Sequence, residues 1–233
     1  MSQNPITVTW HGHSNVMISG AGCTFLIDPF FEGNRFAPDW RTIPRPDMIL
    51  ITHSHGDHLG QAVEIAGATG ARIGCIADMA DWLLTQGVPP ERIINGGSGG
   101  NIDGTVEEFG VRITQTQATH SSAYGAPIGF VLELPGGTAI YHAGDTGLFS
   151  DMGLIGERFN LDLAMLPVGG TYTMDGQLAA KACAMLKTKA AMPLHYATFP
   201  LLAADASAFK EAVGHLAPDC VVIAPEPGGS FII

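Results

Sequence analysis

Residues 53 to 58 read His53-Ser54-His55-Gly56-Asp57-His58, four metal-competent side chains in six positions. Neutral imidazole is the commonest protein donor to zinc and similar ions, and a carboxylate adds charge and a hard oxygen. The segment follows the apolar run Met48-Ile49-Leu50-Ile51, which reads as a buried strand. In an extended segment His53 and His55 face the same side, whereas the adjacent Asp57 and His58 diverge and can face a second ion. The next residues, Leu59 to Ile65, have helical spacing, so Asp57 falls near a helix start, where a carboxylate is favoured. A solvated histidine-rich turn is the bland alternative, and four donors together weigh against it.

Three more candidate donors end predicted strands. His120 follows Val111 to Thr119, Asp145 follows Ala139 to Gly144, and His195 follows Ala191 to Leu194. Strand ends converge on one edge of a sheet, where residues distant in sequence can meet. Apolar runs separated by glycine-containing turns place early strands at Ile6 to Trp10, Asn15 to Ile18 and Cys23 to Asp28. After the histidine-rich loop come a helix to about Ala68, a strand from Arg72 to Ile76 and a helix from Asp78 to Gln86. Strands follow at Thr105 to Phe109, Val111 to Thr116, Gly129 to Leu134 and Thr138 to His142, the last two joined by a turn at Pro135-Gly136-Gly137. The final third alternates: strand from Leu161, helix from Gln177, strand from Ala190, helix from Asp205, strand from Cys220. Strand clusters whose helices follow separately suggest two sheets face to face with helices outside. Gly96-Gly97-Ser98-Gly99-Gly100 lacks the lysine and helix of a phosphate-cradling loop and reads as a flexible turn.

At 233 residues, with 46% hydrophobic and 14% charged side chains, the chain can bury one large core. A net charge of −11 disfavours a broad nucleic-acid footprint and an anionic membrane surface, and points to a small-molecule substrate. Cys23, Cys75, Cys183 and Cys220 form no CxxC pair and sit in apolar stretches, as buried free thiols do. Met1 to Pro5 carries no basic start or apolar run of a signal peptide, and no stretch suggests a membrane span, so a cytoplasmic protein is expected.

The ordered donor set resembles the metallo-β-lactamase superfamily: a His-x-His-x-Asp-His motif, then a separate His, an Asp and a final His, over nearly the whole chain. The resemblance implies one domain over residues 1–233 with the αββα four-layer sandwich, an α/β fold. It implies two divalent ions, zinc first, with Mn, Fe, Co or Ni also suited to these donors. By the resemblance His53, His55 and His120 hold one ion, Asp57, His58 and His195 the other, and Asp145 bridges them. Asp28, in Phe25-Leu26-Ile27-Asp28-Pro29, matches the family's early strand-end Asp that supports the ligands; a turn before Pro29 is its ordinary alternative. Trp10-His11-Gly12-His13-Ser14, Tyr141 to Thr146, Leu166 to Gly170 and Pro193 to Tyr196 look like the small single-domain metal-dependent hydrolases, similar to the L-ascorbate-6-phosphate lactonase. The stretch between Asp145 and His195 is too short for the nucleic-acid-gripping domain of the family's exonucleases.

Two ions sharing a carboxylate can share a water and bring its pKa from 15.7 towards roughly 7, giving hydroxide at neutral pH. That hydroxide would attack a lactone, ester or phosphoester, Asp145 bridging the ions and Asp57 orienting it or passing a proton; no side-chain nucleophile is needed. The alternatives are a non-catalytic metal- or ligand-binding protein and, less suited to the charge, a metal-dependent nuclease. His11 and His13 read as pocket or supporting residues as readily as ordinary packing. Tyr172, Met174, Tyr196 and Phe199 flank strand ends and are candidates for a substrate cleft, while His142 reads as structural. The loop Phe30-Phe31-Glu32-Gly33-Asn34-Arg35-Phe36 reads as exposed, its phenylalanines serving a homo-oligomer interface or a pocket lip.

Overall fold

The fold is that of a computed structural model describing residues 5–233; residues 1–4, on which most of the leader reading rests, lie outside the described residues. Strands β1 (Thr7–Trp10), β2 (Val16–Gly20), β3 (Cys23–Ile27), β4 (Met48–Leu50) and β5 (Arg72–Gly74) form one sheet. A second sheet comprises β6 (Thr105–Glu108), β7 (Val111–Gln117), β8 (Ile128–Glu133), β9 (Ala139–His142), β10 (Leu163–Pro167), β11 (Ala190–Leu194) and β12 (Val221–Val222). The last strand, β13 (Ser230–Ile232), returns to the first sheet and pairs antiparallel with β1. Each sheet changes from antiparallel to parallel pairing partway across, at β3 in the first and at β9 in the second. The parallel strands β3, β4 and β5, and β9, β10 and β11, therefore each send their C-terminal ends to one edge of their sheet.

Period-two alternation separates the two faces of the second sheet. Leu163 and Met165 of β10 join Ile128, Phe130, Leu132 and Ile140 in the core shared with the first sheet. Ala164 and Leu166 face the other way and pack with Val131, Tyr141 and the helices α4 (Met152–Arg158), α5 (Gly176–Leu186) and α6 (Ser207–Leu216). Earlier in the chain α1 (Gly56–Leu59), α2 (Ala62–Thr69) and α3 (Ala77–Thr85) follow the first sheet, and Ile65, Met79 and Leu83 belong to its core. This is the expected two-sheet sandwich with helices outside.

The departures have local causes. The helix expected to run to Ala68 is two helices, α1 and α2, because the chain breaks at Gly60, which packs on the backbone of Pro29 and Phe30. The Gly96–Gly100 run is an ordered turn: Asn95 Nδ2 donates to Gly99 O at 2.7 Å, and Gly100 N donates to Cys75 O at 2.9 Å. Although that run also spells G-x-S-x-G, a 3-10 turn rather than a strand precedes Ser98, so it is no nucleophile elbow. The phenylalanine loop is only partly exposed. Phe30 and Phe31 are buried, packing on His13 and His11 with ring centroids 5.7 and 5.5 Å apart, while Phe36 is half-buried, so two of the three phenylalanines are withdrawn from the surface expected to serve an interface.

Helix α4 was unanticipated because glycines at 153 and 156 lower helix propensity in a seven-residue segment. Gly156 is required by packing, since a Cβ there would lie 2.5 Å from Leu186 O at the end of α5. Gly156→Val should cost about 1–3 kcal/mol through overpacking, and lower the thermal midpoint by several degrees while metal content stays unchanged. A melting curve and metal analysis of the purified variant check this; an unaltered midpoint would contradict the packing.

Candidate metal centre

The donors gather on the edge where the two sheets meet, most of them just beyond a strand end and Asp57 and His58 on the short helix α1. Asp28 follows β3, His53 follows β4, His120 follows β7, Asp145 follows β9 and His195 follows β11. The sheets are tied together here: Ile128 N donates to Thr52 O at 3.0 Å, and His195 N donates to His13 O at 3.1 Å. Gly144 makes the approach of Asp145 feasible. Its φ is +62°, and a Cβ there would lie 2.7 Å from Ile128 O and 2.9 Å from Thr52 Cβ. His13, Asp28 and His195 themselves hold left-handed φ of 57°, 48° and 58°. His and Asp enter that region more readily than most residues, and such strain concentrates at functional sites.

Asp28 is wholly buried and organises two of the histidines. It accepts from Thr52 N at 2.9 Å, from the Thr52 hydroxyl at 2.7 Å and from His58 Nδ1 at 2.8 Å. Because the Thr52 hydroxyl has given its proton to Asp28, it can only accept from His53 Nδ1, 3.0 Å away. Both rings therefore carry hydrogen on Nδ1 and turn Nε2 toward the centre, the nitrogen that would bind a metal once bare. The His53 Nε2 lone pair lies 3.0 Å from His55 Nδ1, while His55 Nε2 faces Ser121 Oγ at 3.5 Å.

The remaining donors close around Asp145, itself buried. Its Oδ2 lies 3.1 Å from His195 Nε2, 3.3 Å from His58 Nε2 and 3.6 Å from His120 Nε2. Asp145 Oδ1 and His58 Nε2 are buried without a hydrogen-bond partner. Ligand-type atoms gather in three overlapping groups: His53, His55 and His120; His53, His58 and Asp145; and His13, Asp57, His58 and His195, each within 4.8 Å. Ring nitrogens and carboxylate oxygens crowd together here, and the buried Asp145 Oδ1 and His58 Nε2 lack partners, an arrangement that fits cations. All seven donors singled out in the sequence are brought together.

The charges interlock. Burial opposes a positive His58, but Asp145 and Asp28 on either side outweigh it and hold its pKa well above 6.5. Burial likewise opposes the negative Asp145, and His58 and His195 more than offset it, leaving the carboxyl well below its ordinary 3.8. His53 is pushed down to about 2 by burial and by neighbouring His58. Asp57 sits below the usual carboxylate range because the penalty of burial is outweighed by His13, whose Nε2 lies 3.1 Å from its Oδ2, together with neighbouring His58.

His55, Asp57, His120, Asp145 and His195 open onto a cavity of about 340 Å³, lined also by Ser121 and Tyr172. Tyr172 is exposed at this cavity, as expected of a cleft residue. Tyr196 instead stacks on Trp10 at 5.1 Å and borders a separate hollow. His11 packs on Phe31 with neither ring nitrogen partnered, outside the donor groups. Met174 is core, and Phe199 packs on His13 with ring centroids 5.4 Å apart. His142 is structural: its Nε2 meets Ser14 O at 3.0 Å and its Nδ1 accepts from Gly144 N. Sequence reasoning missed Thr52, Thr198 and Ser121. Thr52, a hydroxyl closing the apolar run before His53, was the one with a visible signal.

A family model described as the β-lactamase superfamily domain matches residues 24–196. A UPF0173 metal-dependent hydrolase of Nitratidesulfovibrio vulgaris is 48% identical over 97% of this chain and 95% of its own. Another from Methanopyrus kandleri is 42% identical over 96% and 98%. Among solved structures, the metallo hydrolase Igni18 of Ignicoccus hospitalis superposes with a TM-score of 0.89 at 36% identity, covering 98% of both chains. With its converging His and Asp donors, the chain belongs to this β-lactamase superfamily and is a metal-dependent hydrolase of the metallo-β-lactamase type.

Proposed function

We propose that the chain hydrolyses a lactone, ester or phosphoester of a small molecule with two divalent ions, zinc first among candidates. His53, His55 and His120 would hold one ion, Asp57, His58 and His195 the other, with Asp145 shared. The observation carrying this reading is one oxygen, Asp145 Oδ2, reached within 3.6 Å by histidines of both sets. When bound, such a pair lowers the pKa of a shared water and polarises the scissile group.

The chain's own groups supply the rest. Asp28 and Thr52 hold the Nδ1 atoms of His58 and His53, so both rings turn Nε2 toward the ions, His58 losing its Nε2 proton on binding. Asp145 and Asp57 supply negative charge against the ions' mutual repulsion. The cavity of about 340 Å³ matches a small metabolite. Ser121 and Tyr172 offer hydroxyls at its wall, and no lysine or arginine lines it, so an anionic substrate would be attracted through the ions. The four cysteines are free and buried, which suits action in the reducing cytoplasm.

Chelation should abolish turnover of a lactone and phosphodiester panel, and Zn or Mn should restore it; fully metallated protein that turns over neither class would favour the binding-protein alternative. Asp145→Asn should weaken at least one ion and lower turnover by more than the ~10–100-fold typical of outer partners, while exposed His215→Gln leaves both unchanged. Metal analysis and turnover of the two variants check this, and two tightly held ions with near-normal turnover in Asp145→Asn would remove the shared carboxylate. Binding should also weaken in acid. His58, with its pKa raised above 6.5, keeps its proton in the metal-free protein at neutral pH, and an ion must expel it. Summed log affinity measured with a competing chelator should therefore rise by at least about one per pH unit from pH 6 to 7; a flat profile would show that no site proton is displaced.

A further inference from the structure

We infer that His13 is a positioning residue that clasps the Asp57 and His195 side of the metal centre from behind. The inference rests on Asp57 and His195 being ligands of one ion.

Residue 13 touches both of those ligands, by different atoms. Its carbonyl accepts from His195 N at 3.1 Å and from the Trp10 indole at 2.9 Å, fixing the backbone from which His195 projects. Its ring Nε2 meets Asp57 Oδ2 at 3.1 Å. The ionised Asp57 carboxylate can only accept, which places the ring hydrogen on Nε2; Nδ1, 3.0 Å from the Thr198 hydroxyl, then accepts from it in competition with Tyr196 O at 3.2 Å. The side chain is completely buried, with Phe30 and Phe199 edge-on to the ring at 5.7 and 5.4 Å.

Ring spacing to His195 argues for this role over direct ligation beside that ring, although the His13 and His58 rings, 5.5 Å apart, stand at a ligand-like separation. Two imidazoles on one tetrahedral ion, with metal–nitrogen bonds of ~2.1 Å, set their centroids ~5 Å apart. His53, His55 and His120 match, at 4.6, 5.1 and 5.1 Å. His13 and His195 are 4.0 Å apart and tilted by 41°, which is ring-on-ring packing, as for His53 and His58 at 4.1 Å. His13 thus buttresses one ligand by packing and main-chain bonding and orients the other by a hydrogen bond, leaving the second Asp57 oxygen free for an ion.

The test uses the full-length chain loaded with Zn or Co, with affinity of each ion read by competition against a chelator. His13→Phe keeps the ring packing but removes the donor. It should keep the first ion and weaken the second by about 10–100-fold, with a shifted Co spectrum for the second ion alone. His13→Gln, whose amide can reach Asp57, should restore most of that loss, and Thr198→Val should produce a smaller one. In an Asp57→Asn background His13→Phe should add little, because the bond it breaks is already altered. Equal, tight binding of both ions in His13→Phe and wild type would overturn the inference, as would failure of His13→Gln to recover affinity. Retention of both ions by Asp57→Asn alone would instead overturn the underlying ligand assignment. Loss of both ions with a collapsed melting curve in His13→Phe, unrelieved in His13→Gln, would make residue 13 a folding determinant and also overturn it.

Discussion

The candidate metal centre depends on a fully buried carboxylate that lies outside the lining of its cavity. Asp28, wholly enclosed and held at a left-handed φ of 48°, accepts three hydrogen bonds. One comes directly from His58 and two from Thr52, whose hydroxyl in turn receives His53. An uncompensated buried carboxylate would be costly. Here the compensation specifies which nitrogen of two histidines faces the centre, so the cost of burial is met by the same bonds that orient those rings. Removing Asp28 would free both rings to turn and to change tautomer.

The architecture exists to bring this unit against Asp145 and His195, which come from the other sheet. Antiparallel strands position β3 and β9, and the switch to parallel pairing beyond them delivers strand ends to a common edge. At that edge backbone bonds cross between the sheets, from Ile128 to Thr52 and from His195 to His13. Gly144, with no Cβ to collide with Thr52 or Ile128, lets the crossing be close enough for Asp145 to meet histidines from both donor sets. Packing on both faces of β10, whose five residues are all buried, makes the second sheet a rigid platform for these loops.

Much of this was legible in the residues. Four donors in six positions after an apolar run, and three more after later runs, could be read because strand ends are the places a sheet can spare for polar side chains. The αββα order was legible because apolar periodicity changes between two and 3.6 along the chain. What was not legible depended on contacts remote in sequence. Helix α4 hid behind two glycines, of which Gly156 is required by the backbone of Leu186, and β13 pairs with a strand at the opposite end of the chain. Phe30 and Phe31 looked like a surface loop because nothing local indicates that His11 and His13 would cover them. Thr52 and Thr198 are ordinary hydroxyls until the rings they address are known.

The measurement that bears most directly on the centre is anomalous diffraction from crystals grown with Zn, recorded on both sides of the zinc edge. Two peaks should appear on the sheet edge, one among His53, His55 and His120 and one among Asp57, His58 and His195, each ~2.1 Å from its histidine nitrogens, with Asp145 between them. His58 should bind through Nε2 while its Nδ1 stays on Asp28. A single peak, a peak away from Asp145, or a His58 ring turned off Asp28 would contradict the dinuclear centre as built from these residues.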